Sequence, residues 1–378
     1  MQKKTLAVAL AALFALPAVA QAEVSIYGFM AASVDSAKAT GNGDEAKNYK
    51  RTTRVNSDNS RIGFKGSEDL GNGLKAVWQI ENSLAKYDNA GGDTWAGRNS
   101  FVGLSDATFG TLLLGRYDSA YKRLTDTGQD LMVNTTAGNQ GATQIFSRGE
   151  ARYTNSISYT TQSWAGLVAG VSFAADEDGS ASKDRWSVAA QYTLEGLKLG
   201  LGYDQQKDSY TYAAPKPQEV AARNSFGTTE NLEKSKFYKL SASYKIADTL
   251  LIAGYEWAQG DTKVGSDLKQ DDWTIGVQQN FGKGSVRLSY GKLGKLDGVD
   301  NADDYKASQW ILGGTYNLSK MTQVYAYATK INNNASQNVN FQNNQITSQK
   351  VTIKGESVSV LTRGNDPQAI GAGLRVNF

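Results

Sequence analysis

Apolar side chains recur at every second position in one segment after another, the period of a strand with one buried and one polar face. Val24, Ile26, Met30, Ala32 and Val34 take turns with Ser25, Tyr27, Ser33 and Asp35. Ile62 and Phe64 stand between Arg61, Gly63 and Lys65, and Leu74, Ala76, Trp78 and Ile80 between Lys75, Val77, Gln79 and Glu81. The same alternation runs through Trp186 to Leu194, Leu197 to Tyr203, Tyr238 to Ile246, Leu251 to Trp257, Trp273 to Phe281, Val286 to Tyr290 and Trp310 to Leu318. The last segment is the plainest: Ile370, Ala372, Leu374, Val376 and Phe378 share one face, and Gly371, Gly373, Arg375 and Asn377 the other. Opposite the apolar faces stand mostly Gly, Ser, Thr, Gln, Lys and Arg, which suits a wet interior.

A strand of about 9 to 11 residues with this pattern can span a membrane, provided the sheet closes so that no edge is left unpaired. The connections fit such a closed sheet. Short turns (Asp69 to Gly73, Ser105 to Gly110, Glu195-Gly196, Ala247-Asp248, Gly282 to Gly284, Ser319-Lys320) alternate with longer polar stretches. The long ones are Ala37 to Asn59, Ala85 to Gly97, Tyr117 to Ala151, Asp176 to Lys183, Lys207 to Ser235, Gly260 to Gln270, Gly294 to Tyr305 and Asn333 to Pro367. Counting strands between them gives sixteen, so the pattern predicts an all-β, antiparallel transmembrane barrel with both termini on the short-turn rim. Trp186, Tyr192, Tyr203, Tyr238, Trp257, Trp273, Phe281, Tyr290, Trp310, Tyr316 and Phe378 sit mostly at the ends of apolar faces, as interfacial girdles would. A β-sandwich would instead gather its aromatics toward strand centres and use shorter strands.

Residues 1–22 have a basic start (Lys3, Lys4), an apolar run from Leu6 to Ala20 and a small-residue site, Ala20-Gln21-Ala22. That is the build of a secretory signal peptide, leaving residues 23–378 as a single barrel domain. Its removal takes two of 40 basic residues from a chain with 37 acidic ones, so net charge says nothing about partners. After it, no stretch reaches the roughly 18 consecutive apolar residues of a transmembrane helix. Cys and His are both absent. Their absence removes Cys-His and Ser-His-Asp constellations, nearly every zinc site and the commonest general base, so no catalytic, cofactor or metal residues are expected. GNG at Gly41 to Gly43 and Gly71 to Gly73, and GKG at Gly282 to Gly284, precede no helix and read as turns. The scattered basic residues form no platform for nucleic acid.

Several segments resemble the general diffusion porins of Gram-negative outer membranes, most of all the Neisseria-type, β-proteobacterial trimeric porins. They are VSIYGFMAASVD (Val24 to Asp35), SRIGFKGSEDLGNGLKAVWQIENS (Ser60 to Ser83), RNSFVGLSDATFGTLLLGRYDS (Arg98 to Ser119), ARYTNSISY (Ala151 to Tyr159) and GLRVNF (Gly373 to Phe378), in the family's order. The resemblance implies an outer-membrane homotrimer, set among lipids that include lipopolysaccharide, whose third long loop folds inward to narrow the pore. It also implies that Phe378 is read by the barrel-assembly machinery.

The third loop is Tyr117 to Ala151, long enough that packing against something is expected. On it the resemblance implies acidic residues, and by position the candidates are Asp118, Asp126 and Asp130, with Lys122 and Arg123 among them. Facing it the family places basic side chains. Parity sends Arg61, Lys65, Lys75 and Arg152 inward, whereas Arg98 and Arg116 match motif positions in stretches that do not alternate cleanly. For a single inward arginine, a salt bridge bracing the wall and a part in conduction are both open; opposed rows of charge would favour conduction. The function expected is a passive channel for small hydrophilic solutes and ions with weak anion preference. Its rivals are an enzymatic barrel, which would want a histidine, and an adhesin or receptor using Lys207 to Ser235 and Asn333 to Pro367.

Overall fold

The alternating faces close into a barrel. The computed structural model describes residues 23–41, 43–84, 95–175, 184–207, 226, 232–262, 265–353 and 356–378. The expected leader, and residues 85–94, 176–183 and 208–225 of three expected loops, lie outside them. The strands are β1 Glu23–Thr40, β2 in two segments (Tyr49–Ser57 and Arg61–Gly71), β3 Leu74–Ser83, β4 Ser100–Asp106, β5 Gly110–Asp118, β6 Arg152–Thr160, β7 Leu167–Ala174 and β8 Arg185–Leu194. They continue as β9 Leu197–Lys207, β10 Leu232–Ile246, β11 Thr249–Thr262, β12 Leu268–Phe281, β13 Gly284–Leu293, β14 Ala307–Asn317, β15 Thr322–Asn333 and β16 Asp366–Asn377. Each pairs antiparallel with its neighbours, and β1 pairs with β16 from Phe29↔Asn377 to Thr40↔Asp366. Sixteen strands therefore form a closed wall, as the spacing predicts.

β2 counts as one strand because both of its segments pair with β1, Arg61–Ser67 with Glu23–Phe29 and the upper segment with Ala32–Ala39. Between them Asn59 takes a left-handed backbone, and the break is sewn to Ala31. Ser60 Oγ accepts from Ala31 N at 2.9 Å, and Asp58 N donates to Ala31 O at 3.0 Å.

Outward apolar side chains such as Val24, Ile26, Leu201, Leu240, Leu312 and Ile370 are exposed all round the wall. Such a belt would be a large liability in water and belongs in hydrocarbon. One girdle forms a chain of ring contacts across strands: Trp186–Tyr203 at 4.9 Å, Tyr203–Tyr238 at 4.8 Å and Tyr238–Trp257 at 5.0 Å. It resumes with Trp273–Tyr290 at 5.5 Å and Tyr290–Trp310 at 4.4 Å. Cross-strand aromatic pairs of this kind stabilise a sheet while their polar ends meet the headgroups.

Two long connections depart from expectation. The first, expected over Ala37 to Asn59, is only residues 41–48, because the polar run after Tyr49 keeps its ladder with β1 and Arg54 ion-pairs with Asp35 at 2.7 Å. The last, residues 334–365, turns into the barrel. Its Val339, Phe341, Ile346 and Leu361 are buried with Met132 and Ile145 of the third loop against inward Ile311, Tyr327 and Ile331. A dry core thus fills one side of the lumen.

Candidate constriction site

The third long loop, residues 119–151, leaves β5 through a short helix, α1 Ala120–Thr125, whose N-cap Ser119 accepts from Lys122 N at 3.2 Å. It then runs inside the wall along a track of inward glycines. A Cβ on Gly170, Gly200, Gly202, Gly254, Gly291 or Gly313 would press on Leu124, Thr125, Tyr121, Phe146, Ile145 or Met132 of the loop. The absence of side chains at these wall positions lets the loop lie close. Wall polar groups then take its backbone N–H groups: Ala120 N donates to Ser172 Oγ at 3.0 Å, Ser147 N to Asp272 at 3.1 Å and Arg148 N to Glu256 at 2.7 Å. Bonds to carboxylates are the stronger kind, and Tyr121 OH adds another on Glu256.

Near the loop tip, Asn134 Oδ1 accepts from Arg61 Nη2 at 2.8 Å and from Asn59 Nδ2 at 2.8 Å. Arg61 stands on the inner face of β2, with Glu81 of β3 3.9 Å from its Nη1. Glu81 is buried, accepts from Tyr27 OH at 3.0 Å and is the ion partner of Arg98, just before β4. Next to them Arg152 opens β6 directly across from Asp118, the last residue of β5, with Nε 3.0 Å from its carboxylate; Lys122 is 3.4 Å from the same oxygen. Arg61 also feels the charges of Arg98, Arg152 and Arg375. Four cations, three on the wall side and Lys122 on the loop helix, therefore share two carboxylates.

The expected site residues divide accordingly. Arg61, Arg98 and Arg152 come together. Lys65 is also on the inner face, exposed, 5.3 Å above the Tyr27 ring. Lys75 faces inward too, but directly after the turn at residues 72–73, on the short-turn rim and away from the arginines. Arg116 pairs with Ser100 and is half-buried, at the point where the ladder to the next strand breaks. A bulge between Gly115 and Tyr117 is the physical reason the alternation is not clean there.

Of the acids, Asp118 belongs to the basic wall itself and does not oppose it. Asp130 is buried in the loop, where it accepts from Met132 N at 3.1 Å, Asn139 N at 3.2 Å and Gln342 Nε2 at 2.9 Å. Asp126 alone of the three is exposed. Two contributors escaped the sequence reading. Glu81 was the last inward position of a clean alternation, and its neighbourhood with Arg98 could not be seen without the fold. Residues Gln342 to Asn344 looked like an external loop. They bind the third loop instead: Gln342 Nε2 donates to Gln140 O at 2.8 Å, Asn343 Nδ2 to Thr135 O at 3.3 Å and Asn344 Nδ2 to Thr136 Oγ1 at 3.2 Å.

A family model for Gram-negative porins matches residues 7–336. The chain belongs to the Gram-negative porins. Among its relatives, the major outer membrane protein P.IB of Neisseria meningitidis serogroup B is 31% identical over 336 residues, covering 87% of this chain and 92% of that one. The anion-selective porin from Comamonas acidovorans superposes on this porin with a TM-score of 0.71 at 26% identity, over 95% of this chain and 100% of that chain. OmpT of Vibrio cholerae, in a trimer form, gives 0.65 at 15% identity over 94% and 99%, a likeness of fold alone. The resemblance to Neisseria-type porins is borne out, and with it an outer-membrane location and a channel-forming barrel.

Proposed function

We propose that this porin is a passive, weakly anion-selective channel for small hydrophilic solutes and ions, and that it performs no chemistry. The observation that carries the selectivity is the cluster of Arg61, Arg98 and Arg152 on the wall side and Lys122 at the root of the loop, against only Glu81 and Asp118, with Asp126 the one exposed acid among the loop candidates. Charge at the narrowest point governs permeation, and oriented water there penalises apolar solutes. The anion selectivity in the name of the Comamonas relative agrees with this reading. Without histidine or cysteine the chain lacks the usual activated nucleophiles.

The working unit is a homotrimer, matured by removal of residues 1–22, assembled through its Phe378 strand and set among lipids including lipopolysaccharide. Supporting the trimer, the outer face of β16, β1 and β2 carries aliphatic Ile370, Leu374, Val24, Ile26, Val34 and Val55, while the ring chain described above runs only from β8 to β14. An arc covered by protein needs no headgroup-level aromatics. An adhesin role through the last long loop finds less support, since much of that loop is buried in the lumen. Planar-bilayer recording tests the reading: large ohmic steps and a reversal potential of anionic sign in a KCl gradient are expected, and absence of steps would sink it.

A further inference from the structure

Below the tip of the third loop lies a recess open to the lumen, lined among others by Asn134, Arg287, Tyr325 and Arg375. Arg287 of β13 and Arg375 of β16 both come from the short-turn half of their strands and from inward positions. They differ from the constriction arginines in one respect. Arg98 and Arg152 each have a carboxylate, whereas neither Arg287 nor Arg375 has one in ion-pair reach among the described residues.

Arg375 is pre-organised. Its guanidinium carbon lies over the Phe29 ring, 3.7 Å from the centroid, and Nε donates to Asn377 Oδ1 at 2.9 Å, while its two terminal nitrogens make no hydrogen bond among the described residues. Arg287 is held by Ser285, Thr315 and Leu131 O, and its Nη1 also reaches Met132 Sδ at 4.0 Å, so four of its five N–H groups are used. Asp58 also borders the recess, but Tyr325 OH and Asn344 Nδ2 already bond its carboxylate. Two guanidiniums against the single Asp58 carboxylate leave the recess with an excess of positive charge, and their planar forks match oxyanions. The Phe29 ring links this recess to the constriction, because Arg61 lies over it at 4.8 Å.

We propose that the recess is a second anion station, which binds a small oxyanion, inorganic phosphate or a short carboxylate, on the short-turn side of the constriction. The proposal rests on the channel reading above. It is tested on the whole porin in planar bilayers by titrating inorganic phosphate against chloride current. Phosphate should block the wild-type channel, and R375Q should raise the half-blocking concentration about tenfold, the loss expected for one charge-assisted hydrogen bond. R375K keeps the charge but not the fork and should fall between the two. An unchanged half-blocking concentration in R375Q, or no block of the wild type, overturns the station. Reversal potentials in KCl, recorded on the same channels, show separately whether the anion preference holds.

Discussion

Gln342 of the last long loop donates its Nε2 to Asp130 Oδ2 of the third loop at 2.9 Å and to Gln140 O at 2.8 Å. Its Oε1 accepts from Asn134 N at 3.3 Å, so one side chain joins the two inward loops at three points. The eyelet is therefore a composite in which the loop bearing the tip is clamped by another far away in sequence.

Gln342→Ala should loosen that clamp without touching the wall. It leaves a buried carboxylate short of one donor, which costs about 1–3 kcal/mol locally. Open-channel current noise should rise, while the heat-modifiable shift of the barrel on gels stays as in the wild type. Noise equal to wild type would mean that the loop is held by its wall contacts alone.

Acidification should act on the same joint. Burial pushes the Asp130 carboxyl up to about 6, against the opposing pull of the Met132 and Asn139 N–H groups and Gln342. Because this value is raised above the unfolded one of about 3.9, protonation favours the docked loop. That stabilisation is complete below the unfolded value and is lost as pH rises through about 6. Hydrogen-exchange protection of the third loop should be greater at pH 5 than at pH 7.5, and Asp130→Asn should flatten the difference.

Gly254 tests the glycine track. Any Cβ there runs into the Phe146 ring. Gly254→Val should push the loop's return limb off the wall at a cost of about 1–3 kcal/mol, as overpacking does. A lowered single-channel conductance with an intact barrel is expected, and unchanged conductance would show that the limb gives way without moving the eyelet.

The outer half of each strand was legible in the sequence because lipid accepts only apolar side chains, which leaves a strict period of two. The inner half was less so. Ile311 and Ile331 interrupt an otherwise polar face, and such interruptions mark where the two loops dock. Glycines on that face carry the same message, but in a sequence they read as mere small residues of a wet lumen. The acids were misplaced for a related reason. Asp118, Asp126 and Asp130 share a loop region by number, yet one ends a strand, one meets solvent and one is buried. Loop position alone does not say which way a carboxylate faces.

Phe378 closes the barrel at its last rung, where its N donates to Gly28 O at 3.1 Å and its O accepts from Gly28 N at 3.0 Å. Its ring also comes near the space a Gly28 side chain would fill. Deleting Phe378 removes both bonds and the aromatic end of the strand, so the amount of heat-modifiable protein in the outer membrane should fall steeply. Recovery at the wild-type level would show that the terminal residue is dispensable for assembly.

Arg61→Gln with Arg152→Gln should move selectivity toward cations. The cluster would drop from four cations to two against the same two carboxylates, with Arg98 still on Glu81 and Lys122 still on Asp118. A unit charge about 7 Å from a passing ion in water contributes about 0.6 kcal/mol, or roughly threefold in relative permeability per charge. Reversal potentials at about 0.1 M salt, where the Debye length is about 10 Å, should record most of this, and at about 1 M, where it is about 3 Å, little. The fold should survive, since both side chains border the wet lumen and Gln keeps hydrogen-bonding capacity toward Asn134 and Asn99. An unchanged low-salt reversal potential in a correctly assembled double variant would mean that these arginines brace the wall without setting the field, and that the preference must be sought at Arg98, Lys122 or Arg375.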